Sequence, residues 1–225
     1  MGTDKYQTIL RAAGFTGDAP PAARTPELVR AWAWRVTPVL AGSGTVAGRS
    51  AEAHLFDARG YRSSSWAAQV TVKAPVSGAV RLTPRPMVGL VLSMWQMWFP
   101  LNWLLLAMMW CGLWLLMLPG LMFFTSIARR ALERDGWQPV EVPGAPLLFR
   151  LLFVVRAKDV AAVPAICTPA MIEALRTAPF YGQVITGPGE VRIETAFPYG
   201  RPGLFEKFLT QVTPRLLGAL QLPPP

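Results

Sequence analysis

Histidine is nearly missing from this sequence, and acidic residues are scarce. The 225 residues hold one His, two Cys and 13 Asp or Glu against 22 Lys or Arg. A single His rules out most imidazole-based metal sites. Cys111 and Cys167 provide neither a disulfide framework nor a metal-ligand spacing, so reduced thiols are expected. Lysine is rare too: 18 of the 22 basic residues are Arg, scattered singly from Arg11 to Arg215, with Arg129-Arg130 as the one adjacent pair. No basic helix and no strand mixing aromatic and basic side chains appears, so nucleic acid is not an expected partner. The excess of +9 instead suits cytoplasm-facing loops and attraction to anionic lipids. Met1–Gly14 lacks the apolar core of a signal peptide, and Tyr6 stands where a myristoylation pattern needs Ser or Thr. The chain is therefore expected to start in the cytoplasm.

The longest absence is of charge. Met87–Ala128 contains no Asp, Glu, Lys, Arg or His in 42 residues. As one helix it would run about 63 Å, at roughly 1.5 Å per residue, whereas a bilayer's hydrocarbon core is about 30 Å thick. Pro100, Gly112 and Pro119-Gly120 interrupt it, and Pro100-Leu101-Asn102 suits a turn, with Asn102 capping a helix over Trp103–Thr125. An inserted transmembrane helical hairpin is the expected form, with a single transmembrane helix as the alternative. Three basic residues on each side, Lys73, Arg81 and Arg85 before it and Arg129, Arg130 and Arg134 after it, match a hairpin with both ends in the cytoplasm. The stretch offers no axial ligand for haem and no ionisable relay, and no cofactor is expected. It does hold five of the nine Trp and seven of the nine Met. Trp95, Trp98, Trp103, Trp110 and Trp114 are the candidate contacts with a partner or with lipid, flanked by the basic Arg81, Arg85, Arg129 and Arg130.

Outside that stretch the periodicity is that of an ordinary folded domain. Asp4–Ala13 suits a short amphipathic helix, followed by a Gly/Pro/Ala-rich lead-in. Between Ala31 and Leu82 short strand-like runs alternate with turns at Ala41–Gly44, Ala58–Ser65 and Pro75–Gly78. That spacing predicts an antiparallel meander with one buried face. Later, Trp137–Val142 and Phe149–Val155 suit strands, and Thr168-Pro169 opens a helix over Ala170–Thr177. Gln183–Ile185 and Val191–Phe197 flank a Gly-Pro-Gly turn, and Gly203–Leu220 forms an amphipathic helix with a kink at Pro214. The expected organisation is an N-terminal helix and lead-in over 1–26, the first half of an α+β domain over 27–86, a membrane segment over 87–128, and the second half over 129–225.

Two sections carry a resemblance. AEAHLFDARGYRSSSWAAQVTVKAP is similar to the "His-Leu-Phe-Asp, variable loop, strand" section of an uncharacterised bacterial family. FRLLFVVRAKDVAAVPAICTPAMIEAL is similar to its "Phe-x-Val-x-x-x-Asp … Thr-Pro-x-Met-x-x-x-Leu" section. The family has no assigned activity. The resemblance implies one α+β domain built from both sections and interrupted here by an insertion; with the strand pattern and the C-terminal amphipathic helix, the expected fold is α+β, an antiparallel sheet with C-terminal amphipathic helices.

Chemistry is thin. His54, Asp57 and a serine from Ser63–Ser65 could be drawn as a triad, yet Asp57 points away from the face that His54 shares with Phe56. Cys167 precedes a helix start but lacks a second cysteine or a histidine nearby. Gly42-Ser43-Gly44 leads into a strand rather than a helix, so it suits a turn better than a phosphate loop. No catalytic or metal site is expected. The sequence points to a non-enzymatic accessory subunit that packs against and stabilises an integral membrane protein complex at the bacterial cytoplasmic membrane; an energy-transducing assembly, photosynthetic or respiratory, would fit, but the sequence points to neither. A membrane-tethered sensor or binding module for a small ligand or peptide is the alternative.

Overall fold

Alternation of side chains builds one sheet out of both halves of the chain. In the computed structural model, residues 3–19, 24–30, 33–60, 64–76, 78–85, 130, 132–177, 182–220 and 222 are described. Eight strands run in chain order: β1 Ala33–Val46, β2 Arg49–Gly60, β3 Ser64–Lys73, β4 Val80–Pro84, β5 Gln138–Pro139, β6 Phe153–Ala157, β7 Gly182–Gly187 and β8 Glu190–Pro198. Their order in the sheet is β1-β2-β3-β8-β7-β4-β6-β5, with every pairing antiparallel. Strands from before and after the uncharged stretch thus interleave: β3 pairs with β8, and β4 lies between β7 and β6.

One face of the sheet is apolar at every second position. Ala51, Ala53 and Leu55 of β2, Trp66, Ala68, Val70 and Val72 of β3, and Val191, Ile193 and Phe197 of β8 all enter the main core. Helices cover this face: α1 Asp4–Ala12, α4 Val163–Ile166, α5 Pro169–Thr177, and a C-terminal helix made of α6 Pro202–Lys207, a π-turn Phe208–Val212 and α7 Thr213–Ala219. They contribute Leu10, Met171, Leu175, Phe205, Phe208 and Leu216, all almost fully buried. Burying each such side chain stabilises the fold by about 1.5–3 kcal/mol. The Thr168 hydroxyl accepts the Met171 N–H at 3.2 Å, the N-cap that its spacing predicts. Pro214 has no N–H to complete an α-turn, and the helix widens to a π-turn just before it. The Thr213 hydroxyl donates to the Phe208 carbonyl at 2.8 Å across that turn.

Several expectations need correcting. The fold is an eight-stranded antiparallel sheet with a C-terminal helix, and no single helix among the described residues is long and apolar enough to cross a membrane. Neither the expected transmembrane hairpin nor the alternative single transmembrane helix is therefore part of the described architecture; the stretch Met87–Ala128 lies outside the described residues. Ala41–Gly44 is not a turn but the interior of β1. Its glycines admit the N-terminal segment: a Cβ on Gly44 would stand 2.3 Å from the Gly14 carbonyl oxygen, and Gly17 and Ser43 exchange backbone hydrogen bonds of 3.0 and 2.9 Å. The hairpin turns instead at Ala47-Gly48, both with positive φ. Phe149–Val155 begins as a short helix, α3 Leu147–Leu152, before entering β6, and Trp137–Val142 pairs over only two residues as β5.

Candidate functional site

The sheet's other face is polar, and its residues line up in cross-strand rows. His54 pairs with Gln69, Gln69 with Glu194, and Glu194 with Gln183. The next row runs Glu52, Thr71, Arg192, Ile185 and Arg81. Lys73 and Glu190 follow beyond it. A polar row on a sheet face is ordinarily solvated. Here His54, Gln69, Arg81, Gln183, Arg192 and Glu194 are all buried.

A small helix, α2 Glu27–Arg30, closes one end of this face. Its Leu28 and Val29 pack on Phe56, Ala58, Ala67 and Ala196 in a second, smaller cluster. Its backbone and side chains also complete an ionic network. The Leu28 N–H donates to Glu194 Oε2 at 3.0 Å, and Gln183 Nε2 donates to the same oxygen at 2.6 Å. The Arg81 guanidinium donates to Gln183 Oε1, at 3.2 Å from Nε and 2.9 Å from Nη2, and closes an ion pair with Glu27. Arg192 reaches Glu27 at 3.6 Å, Glu190 at 3.4 Å and Glu194 at 3.9 Å. Burial holds the Glu194 carboxyl above the usual carboxylate range, with its hydrogen bonds from Gln183 and Leu28 opposing that shift. Burial likewise lowers the Arg81 pKa, and Glu27 partly restores it.

Beside this network lies an open groove of about 250 Å³ over β2, β3 and β8. Arg24, Ser50, Glu52, His54, Gln69, Thr71, Lys73, Glu190 and Arg192 line it. Two of its buried side chains carry polar atoms with no hydrogen-bond partner among the described residues. Gln69 uses Nε2 to donate to the Thr71 hydroxyl at 3.1 Å and leaves Oε1 without a hydrogen bond; Arg192 Nη1 also makes no hydrogen bond and faces Glu194 as an ion pair at 3.9 Å. One is an acceptor and the other a charged donor, so the groove offers complementary contacts to a polar group.

The structure places the sequence's candidates as follows. Asp57 lies on the sheet face opposite His54 and is held by the Tyr199 hydroxyl and, at 2.9 Å, by Arg59 Nε. Ser64 and Ser65 pair with Arg59 and Ala58, remote from His54, which pairs with Gln69, so no triad assembles from the described residues. Cys167 is buried, and desolvation pushes its thiol up to about 12, away from reactivity. Among the described residues no three His, Cys, Asp or Glu side chains come together to hold a metal. Arg81 belongs to the buried network, whereas Arg85 and Arg130 are exposed. Arg129 and the contact tryptophans Trp95, Trp98, Trp103, Trp110 and Trp114 lie outside the described residues.

No family model and no curated protein matches this chain. One solved structure is similar to it, the crystal structure of the mycobacterial trehalose monomycolate transport factor A, TtfA. The identity is 12%, the match covers 99% of this chain and 97% of that one, and the TM-score is 0.49.

Glu27, Arg81, Gln183, Arg192 and Glu194 went unread as a group in the sequence. The signal was present as alternation: Ser50-x-Glu52-x-His54, Gln69-x-Thr71-x-Lys73 and Glu190-x-Arg192-x-Glu194 each place polar residues on one face.

Proposed function

We propose that this chain is a non-enzymatic binding module that takes a small polar ligand, or the polar end of a peptide, in the groove over β2, β3 and β8. The observation that carries this reading is Gln69 Oε1, a buried acceptor with no hydrogen-bond partner among the described residues, in an open groove beside the Arg192 guanidinium. A native structure rarely leaves such groups without a partner, because each unmet buried hydrogen bond costs about 1–3 kcal/mol. A bound ligand that donates a hydrogen bond meets it. The acidic Glu52 and Glu190 beside Arg24, Lys73 and Arg192 favour a ligand carrying donors and acceptors together. The raised pKa of the Cys167 thiol speaks against that residue as a nucleophile.

Thermal melting of the full chain against a panel of polar metabolites and short peptides tests the reading. A ligand at a hundred times its Kd raises stability by about 2.7 kcal/mol. The expected result is a raised melting temperature that Gln69→Leu abolishes. A ligand that stabilises the wild-type chain and Gln69→Leu equally would place binding elsewhere and overturn the assignment of this groove.

A further inference from the structure

The groove leaves unexplained a second surface, at the opposite end of the sheet. Large apolar side chains are exposed at Trp34, Leu147, Leu148, Leu151 and Val160 among the described residues, and three of these five stand on α3. Leu147, Leu148 and Leu151 are 65%, 47% and 56% exposed, while their helix is anchored from below by Phe149, which stacks on Phe153 at 5.4 Å. A six-residue helix that buries one residue and offers three leucines outward is shaped for contact.

The surroundings of α3 say what kind of contact. The Arg85 backbone N–H donates to the Leu152 carbonyl at 2.8 Å, and Arg85 Nε donates to the Arg150 carbonyl at 3.1 Å. Arg85 and Arg150 are both exposed, so two guanidinium groups flank the leucines. Residues 142–158 hold Arg150, Arg156 and Lys158 and no Asp or Glu, with Glu141 and Asp159 standing just outside them. Leucines edged by exposed arginines, with no carboxylate among them, complement a surface that is anionic outside and apolar beneath. Arg85 is also the last described residue before the uncharged stretch, so α3 is hydrogen-bonded to the point where that stretch begins.

We propose that α3 is a peripheral lipid-contact element: Leu147, Leu148 and Leu151 enter the headgroup boundary of an anionic bilayer while Arg85 and Arg150 bind lipid phosphates. This contact is made by side chains at the surface of the sheet domain and is independent of ligand binding in the groove.

The test uses the full chain with an environment-sensitive fluorophore on Leu148→Cys, and a control label on Lys207→Cys at the exposed end of α6. Vesicles of phosphatidylcholine alone and of phosphatidylcholine with phosphatidylglycerol are compared at low and high salt. The expected result is a blue-shifted, several-fold brighter signal at position 148 with phosphatidylglycerol vesicles. The control position stays unchanged, and the response falls severalfold in high salt or with Arg150→Glu. Equal responses to both vesicle types overturn the proposal, because the arginines then select nothing. No response at position 148 to either vesicle also overturns it. So does a signal that rises with protein concentration in the absence of lipid, which marks α3 as a contact between copies or with another protein.

Discussion

Arg81 and Glu27 meet across the polar face of the sheet, joining β4 to the short helix that caps the groove. The Arg81 side chain is 6% exposed and that of Glu27 is 23% exposed, so water screens the pair only from one side. The same guanidinium also donates to Gln183 and Thr83. Removing one member of a mostly buried pair strands the other, which typically costs about 3–5 kcal/mol. Arg81→Met is expected to fall near the lower end, about 3 kcal/mol, because Glu27 keeps Arg192 at 3.6 Å. Adding Glu27→Gln removes the stranded charge, so the double variant should recover at least about 1 kcal/mol of the loss. Urea unfolding of the four members of this cycle measures it, and strict additivity would show that the pair is not coupled.

Ala47 carries the one positive φ among the described residues that are not glycine, at +51°, followed by Gly48 at +76°. That is the backbone of a type I′ turn, which Asn-Gly adopts most readily. Alanine in this region costs roughly 1–2 kcal/mol because its Cβ crowds the following carbonyl. Ala47→Asn is therefore expected to stabilise the fold by about 1 kcal/mol and to raise the urea midpoint. A lowered midpoint would mean that the strain is not where the dihedral places it.

These two sites show which features were legible in the sequence. The hairpin of β7 and β8 and the capped start of α5 rest on local signals, a Gly-Pro-Gly turn and a Thr-Pro pair, and they stand as expected. The β1–β2 turn was misplaced because Gly42-Ser43-Gly44 mimics a turn, when those glycines instead clear space for the chain at Gly14–Gly17. α3 was missed because LLFRLL serves a helix or a strand equally well by composition. The candidate groove was invisible for a different reason. Glu27 and Arg81 are 54 residues apart in sequence and Leu28 and Glu194 are 166 apart, and no local pattern reports pairings of that span.

Cys167 offers a reactivity test. Its thiol is pushed up to about 12 by burial, with no compensating charge. In a Cys111→Ser background, Cys167 in the folded chain should react with a thiol-specific reagent at pH 8 roughly a thousandfold more slowly than in denaturant, where the pKa returns to about 8.5. Colorimetric titration with and without urea gives the comparison. Rapid reaction in the folded state would require a lowered pKa or an open path to the sulfur.

The Glu194 carboxyl sets a pH dependence whose sign follows from burial. Its folded pKa lies above the ordinary Glu value, so the folded chain holds this proton at pH values where the unfolded chain has released it. The stability linked to that proton is fully present below the ordinary Glu value, near 4.3, and is lost as pH rises through the raised folded value. Glu27, Arg81 and Arg192 face the same carboxyl. Arg192 draws the folded pKa downward and Glu27 pushes it up, but desolvation is the largest cause and fixes the direction. Glu194→Gln cannot titrate. Its amide oxygen, in the place of Oε2, can still accept from both the Leu28 N–H and Gln183 Nε2, while its amide nitrogen takes the place of Oε1 facing Arg192, a penalty that does not change with pH. The stability of Glu194→Gln relative to the wild-type chain should therefore be greater at pH 8 than at pH 4.5, read as the difference in urea midpoints. A constant difference across that range would show that Glu194 titrates at its ordinary value, and one that shrinks with pH would reverse the sign assigned to it.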